Sequence, residues 1–260
     1  MRPHVDHSAP RKAFHEAIEG GLLHVLTIRA LSGKGKSRLI GSFRQDSRDR
    51  AIPVALLDFK ALRGRDIFAL LALLRSSLQR LNFSNYDAAL ARYVSSSSPS
   101  VTLENIHMFA SSLGDITAGD MQRRRALIQS LTDDIVKDIE THCSAANIVV
   151  MLIDTFEQAD EDTKSWISGQ LIPIVCDVTG LVLVVAGQQT PQIDPAHWGE
   201  VYRHFDLPEG LEWLDWLQYA NEIGALEAMP EEVLRKYHAH YKGDPKFMCQ
   251  VCDPLGYGAV

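Results

Sequence analysis

One loop limits the fold of this chain more than any other stretch: Ala30-Leu-Ser-Gly-Lys-Gly-Lys-Ser37, set between two segments of opposite periodicity. The residues before it, LLHVLTIRA, are rich in Leu, Val, Ile and Thr and follow Gly21, which predicts a buried strand. The residues after it, GKSRLIGSFRQDSRD, place Leu39, Ile40 and Phe43 on one face, which predicts a helix. Strand, glycine-rich loop and helix together aim backbone N–H groups at phosphate oxygens. The loop ends in Gly35-Lys36-Ser37, as a phosphate-binding loop does, yet Ala30 stands where GxxxxGK[ST] begins with glycine. That position is where the strand turns into the loop, and alanine costs little there if its φ is negative. Nucleotide binding is therefore expected to survive.

The remainder alternates in the same way. APRKAFHEAIEGG reads as a short amphipathic helix closed by paired glycines, IPVALLDFK as a second strand running into Asp58, and GRDIFALLALLRSSLQRL as an apolar helix with Asp66 near its first turn. The stretch from Asn82 to Gly119 is less regular, and its SSSSPS run reads as a solvent-exposed loop. GDMQRRRALIQSLTDDIVKDIETHC reads as a long helix whose Arg123-Arg124-Arg125 run is a solvated face. NIVVMLIDTFEQAD and GLVLVVAGQQTP are near-continuous apolar runs, as parallel strands covered on both faces require, with a crossover helix between them and YRHFDLP as an edge strand. Everything after Pro208 has helical character. The expected fold class is α/β: a parallel sheet flanked by helices over 1–208, then a small helical lobe over 209–260.

Composition narrows the function classes. With 46% hydrophobic and 23% charged residues, the chain reads as an ordinary globular protein. A net charge of −7 gives no support to a dedicated nucleic-acid binder. The apolar runs are too short to cross a bilayer and the start has no apolar signal region, so no membrane association and a cytoplasmic location are expected. Four cysteines are too few for a disulfide framework. Cys249 and Cys252 form a CxxC downstream of His238 and His240, but they lie one turn apart on an amphipathic helix and read as packing residues, not zinc ligands. Trp213 and Trp216 are either a partner surface or, for at least one of them, core.

Phosphate chemistry needs backbone N–H groups, a lysine for the β/γ-phosphates, a hydroxyl for Mg²⁺ and an acid opposite it. Lys36 and Ser37 supply the lysine and hydroxyl, Gly33 and Gly35 let the backbone approach, and Lys34 within the loop and Arg38 just after it are further expected nucleotide-binding residues. Asp154 ends an apolar strand, where ligands bind in open α/β sheets, and is the expected metal partner of Ser37. Thr155 fills the slot in which many such ATPases carry a water-orienting acid. Glu157 is the nearest replacement, read equally well as an exposed acid of a polar loop.

The ordered series LTIRALSGKGKSRLI, VALLDF, VVMLIDTFEQAD, WISGQLIPIV, LVLVVAGQQTP with DPAHW, and KGDPKFMCQVCDPL resembles the signal-transducing ATPases with numerous domains, the STAND class, over about residues 5 to 255. The resemblance implies that LVLVVAG lies between the phosphate-loop strand and the acidic strand. It also implies that the lobe closes over ATP or ADP, with ADP holding a closed state and ATP permitting opening and assembly through a protein partner, an effector or a nucleotide-dependent oligomer. Pro245 would pack near the adenine, with Val5 on its other side. Departures are Ala30, His7-Ser8 for an Arg-Glu pair, and Gln188 where an arginine often senses the γ-phosphate; a neutral amide there cannot offset developing charge. Two functions follow: a switch with slow Mg²⁺-dependent ATP hydrolysis in signalling or defence, using Lys36, Asp154 and Glu157, or a degenerate relative acting as an adaptor or inhibitory scaffold. A P-loop kinase is a poor fit, because nothing marks a second substrate site.

Overall fold

The structure, a computed structural model, describes residues 7–62, 64–97, 121–144, 147–191 and 199–256. Five strands, β1 (Val25–Arg29), β2 (Val54–Asp58), β3 (Val149–Asp154), β4 (Leu181–Gly187) and β5 (Tyr202–Asp206), form one sheet in the order β2-β3-β4-β1-β5. Every pairing is parallel. β4 lies between β1 and β3, as the resemblance implies. β3 and β4 are buried along their whole length, because helices cover both faces. Their side chains divide by strand periodicity: Met151, Ile153, Leu183 and Val185 enter one core, while Val150, Leu152, Val182 and Val184 enter the other.

The second core is capped by α1 (Ser8–Ile18) and α2 (Lys36–Asp49), with Phe14 stacked on Phe43 at 4.1 Å. The first is capped by α3 (Ile67–Ser77), α4 (Ser84–Ser97), α5 (Met121–Cys143) and the crossover between β3 and β4. That crossover is not the single regular helix expected. α6 (Glu161–Trp166) passes through a π turn (Ile167–Leu171) into α7 (Ile172–Asp177). Pro173 accounts for the widening: it has no N–H for the carbonyl four residues back, and its ring crowds that turn.

Two further expectations are corrected. Helix α4 runs through Ser95, Ser96 and Ser97, so the start of the serine run is helical and not a loop; the rest of that run lies outside the described residues. α4 is anchored from afar, since the buried Asp138 carboxylate of α5 accepts from the Asn85 N–H at 3.1 Å, the Asn85 side chain at 2.7 Å and the Tyr86 N–H at 2.9 Å. The arginine run is not a uniformly solvated face either. Arg124 pairs with Asp66 at 2.6 Å and lies over the Phe68 ring, because Asp66 caps α3 through the Phe68 N–H and draws the guanidinium in.

Beyond the sheet, α8 (Trp213–Glu222), α9 (Glu231–Tyr241) and α10 (Pro245–Gly256) build a third core around Trp216, Tyr219, Leu234, Met248 and Cys252. Trp216 is fully buried and donates its indole N–H to the Gly243 carbonyl at 3.0 Å, while Trp213 stays half-buried under Arg235. No helix among the described residues is long and apolar enough to cross a membrane.

Candidate functional site: the phosphate loop and the strand ends facing it

The loop after β1 turns through Gly33 (φ 81°) and Gly35 (φ 90°), the residue before α2. Both lie in the left-handed region that glycine tolerates without Cβ strain. Ala30 does not: positive φ among the described non-glycine residues occurs only at His7, Ala51, Thr155 and Lys242. Ala30 is buried, and its N–H donates to the Gly187 carbonyl at 3.2 Å, so the missing first glycine leaves the turn from strand to loop intact. Gly35 has a second reason to be glycine. A Cβ there would sit 3.1 Å from the His7 ring, which is buried over the loop.

Lys36 opens α2 with its ammonium folded across the loop, donating to the Ala30 carbonyl at 2.6 Å and the Leu31 carbonyl at 2.8 Å. Burial pulls its pKa down, while the charges of Glu157 and Asp154 oppose that. Asp154 is buried at the end of β3, and desolvation pushes its pKa up against the Ser37 hydroxyl bond and the Thr155 N–H, which donates at 2.8 Å. Lys36, Ser37, Asp154 and Glu157 therefore share one site. Glu157 sits on the short 3₁₀ turn after β3 and accepts from Gln188 through both oxygens, from the N–H at 2.8 Å and the side-chain amide at 3.2 Å. The two residues weighed as water-orienting acid and phosphate sensor thus hold each other.

Lys34 and Arg38 face the lobe. Lys34 donates to the Glu209 carbonyl and to Asp244, each at 2.5 Å, and is buried. Arg38 donates to the Tyr219 hydroxyl at 2.8 Å and to Cys249 Sγ at 3.2 Å, and Tyr219 in turn donates to Asp253. A cavity of about 210 Å³ between loop and lobe is lined by His7, Gly33, Gly35, Trp216, Pro245 and Lys246, among others. Pro245 is thereby placed beside the loop; Val5 lies outside the described residues. Cys252 is buried in the lobe core, where desolvation pushes its thiol up to about 12.

Asp58 was passed over by sequence reasoning. It ends β2 directly opposite Asp154 in the register, and Thr155 Oγ donates to it at 2.8 Å. Its signal was present, as an acid closing an apolar strand, but only strand order shows that β2 neighbours β3. Ser37 and Asp154 are hard oxygen donors in contact, and Mg²⁺ takes one or two carboxylates together with phosphates and water, so the pair fits that ion.

The sheet order, the loop and the facing acid define an α/β protein with the P-loop NTPase fold. No protein-family model and no curated protein matches the chain. Among solved structures it is similar to Cdc6p from Pyrobaculum aerophilum, at 12% identity over 84% of this chain and 49% of that one, with a TM-score of 0.45. It is similar to a DNA replication initiation factor at 9% identity, over 90% and 61% of the two chains, with a TM-score of 0.37. Domain III of the Thermotoga maritima replication initiation protein DnaA gives 13% identity over 98% and 95%, with a TM-score of 0.39. The chain spans less than two thirds of the first two structures. At such TM-scores these likenesses carry no functional weight, and the fold stands on the chain's own topology.

Proposed function

We propose that this chain binds ATP and ADP as a STAND-like molecular switch, with slow Mg²⁺-dependent ATP hydrolysis, and acts in signalling or defence through a protein partner. The observation that carries this reading is the seam between phosphate loop and lobe. Two cations of the loop and the helix that follows it, Lys34 and Arg38, are satisfied by groups on the lobe: Asp244, the Glu209 carbonyl, and Tyr219 with Asp253 behind it. Phosphates arriving at the loop N–H groups bring negative charge beside those same cations and compete with the lobe for them. A ligand shifts a conformational equilibrium only through such differential contacts, and ATP and ADP differ by one phosphoryl group at this point.

Lys36 would hold the β/γ-phosphates and Ser37 with Asp154 would hold Mg²⁺, which supplies positive charge to phosphate oxygens when bound. The cavity beside Pro245 lies below the roughly 300–1,000 Å³ of drug-sized sites, which suits the base of a nucleotide rather than the whole of it. The moving units are 1–208 and 209–260. The pairing of Glu157 with Gln188 favours the second reading, an adaptor without turnover.

Extraction of bound nucleotide from purified protein, followed by phosphate-release assays of wild type and Lys36→Ala, separates the two. Bound ADP with slow, Mg²⁺-dependent turnover that Lys36→Ala abolishes supports the switch. Nucleotide retained without turnover supports the scaffold, and protein that neither binds nor hydrolyses ATP sinks the switch.

A further inference from the structure

We infer that Asp58, rather than Glu157, is the acid that takes the proton of the water attacking ATP; this rests on the hydrolysing reading above. Four observations converge on it. Asp58 is the register partner of Asp154, so two carboxylates stand side by side at adjacent strand ends. Both hydrogen bonds to the Asp58 carboxylate fall on one oxygen: Thr155 Oγ donates to Oδ1 at 2.8 Å and the Lys60 N–H at 2.9 Å. Oδ2 has no partner among the described residues. Thr155, which aims that carboxylate, holds φ 56°, a left-handed conformation rare for a β-branched side chain and retained where surrounding structure over-determines it. Glu157, in contrast, has both oxygens held by Gln188.

The acid missing from the slot after Asp154 is thereby supplied from the neighbouring strand, with Thr155 in that slot as its positioning residue. In the step, the water oxygen bonds to the γ-phosphorus while the bond from that phosphorus to the β–γ bridging oxygen breaks. One water proton passes to Asp58 Oδ2, ADP leaves with the electron pair of the broken bond, and the proton is released to solvent after phosphate departs.

Asp58→Asn is an informative variant because its remaining carbonyl oxygen can still accept from Thr155 Oγ and the Lys60 N–H. The experiment measures ATP affinity with a fluorescent ATP analogue, kcat by phosphate release, and thermal melting, for wild type, Asp58→Asn and Glu157→Gln. The expected result is a kcat about 10²–10⁴-fold lower in Asp58→Asn, with affinity and melting retained, and a much smaller loss in Glu157→Gln. If Asp58→Asn keeps its turnover and Glu157→Gln loses it, the assignment is overturned and the reading as a slow ATPase stands. Loss of ATP binding in Asp58→Asn overturns it in favour of a binding role. Wild type that binds ATP without turnover overturns both the assignment and the hydrolytic half of the switch.

Discussion

Burial moves the pKa of both Lys36 and Asp154 from its ordinary value, that of Lys36 down and that of Asp154 up. For Asp154 the folded pKa lies above its unfolded value, so its charge costs stability above the folded pKa, and the cost disappears as pH falls to the unfolded value. For Lys36 the folded pKa lies below its unfolded value, so the cost is present below the folded pKa and is relieved as pH rises towards the unfolded one. Such costs at the proposed phosphate and Mg²⁺ site are those expected where function is favoured over stability. Asp154→Asn should therefore raise the melting temperature of nucleotide-free protein at neutral pH, by about 2–4 °C for each kcal/mol relieved. The gain should shrink as the pH falls from the raised pKa of Asp154 to the ordinary carboxylate value and be gone below it, and stabilisation by Mg²⁺-ATP should be lost; calorimetry across pH checks all three. Thr155→Gly makes a second test. Removing left-handed strain of about 1–3 kcal/mol offsets the lost bond to Asp58, so denaturant stability should change little while turnover falls.

At the scale of elements, most of the chain's periodicity translates directly into structure, and the exceptions have physical causes. The first turn of α4 is tied to Asp138, a carboxylate more than fifty residues away in sequence, a tie that no short window of sequence contains. Asp138→Ala should cost about 1–3 kcal/mol in urea unfolding, because it strands the Asn85 and Tyr86 N–H groups beneath α5. The π turn in the crossover follows from Pro173, a local signal readable in advance. The seam between loop and lobe could not be read: Lys34 and Asp244 lie on different elements, and a lysine in a glycine loop looks like a phosphate ligand whatever faces it. A double-mutant cycle on Lys34→Ala and Asp244→Ala should give a coupling of about 0.5–3 kcal/mol, since both side chains are largely buried. Either single variant should leave the segment after Pro208 more open to limited proteolysis.

For the whole molecule, the proposed switch has the sheet as a rigid support and the lobe as the part that would respond. Nucleotide at a hundred times its Kd should stabilise the protein by about 2.7 kcal/mol, and Lys36→Ala should abolish that gain. ADP and ATP should differ in hydrogen exchange over 211–252, the stretch that builds the third core. With Trp216 bonded to Gly243 beside the seam, tryptophan emission should report the same difference. Equal exchange with both nucleotides would remove the basis for a switch, because a ligand pair with equal preferences shifts nothing. A nucleotide-dependent oligomer, if one forms, should appear by light scattering with ATP and not with ADP.

The sequence by itself determined the order of strands and helices, the α/β class, and the nature of the phosphate loop, including a tolerated Ala30, because strand and helix periodicity and glycine conformations are local properties. The tertiary structure alone decided that Asp58 stands beside Asp154, that Glu157 is engaged by Gln188, and that Lys34 and Arg38 are shared with the lobe. Those relations join residues up to about 210 positions apart along the chain. Which strands become neighbours, and which charges they bring together, is set by burying both faces of one sheet at once, a condition that no short stretch of sequence contains.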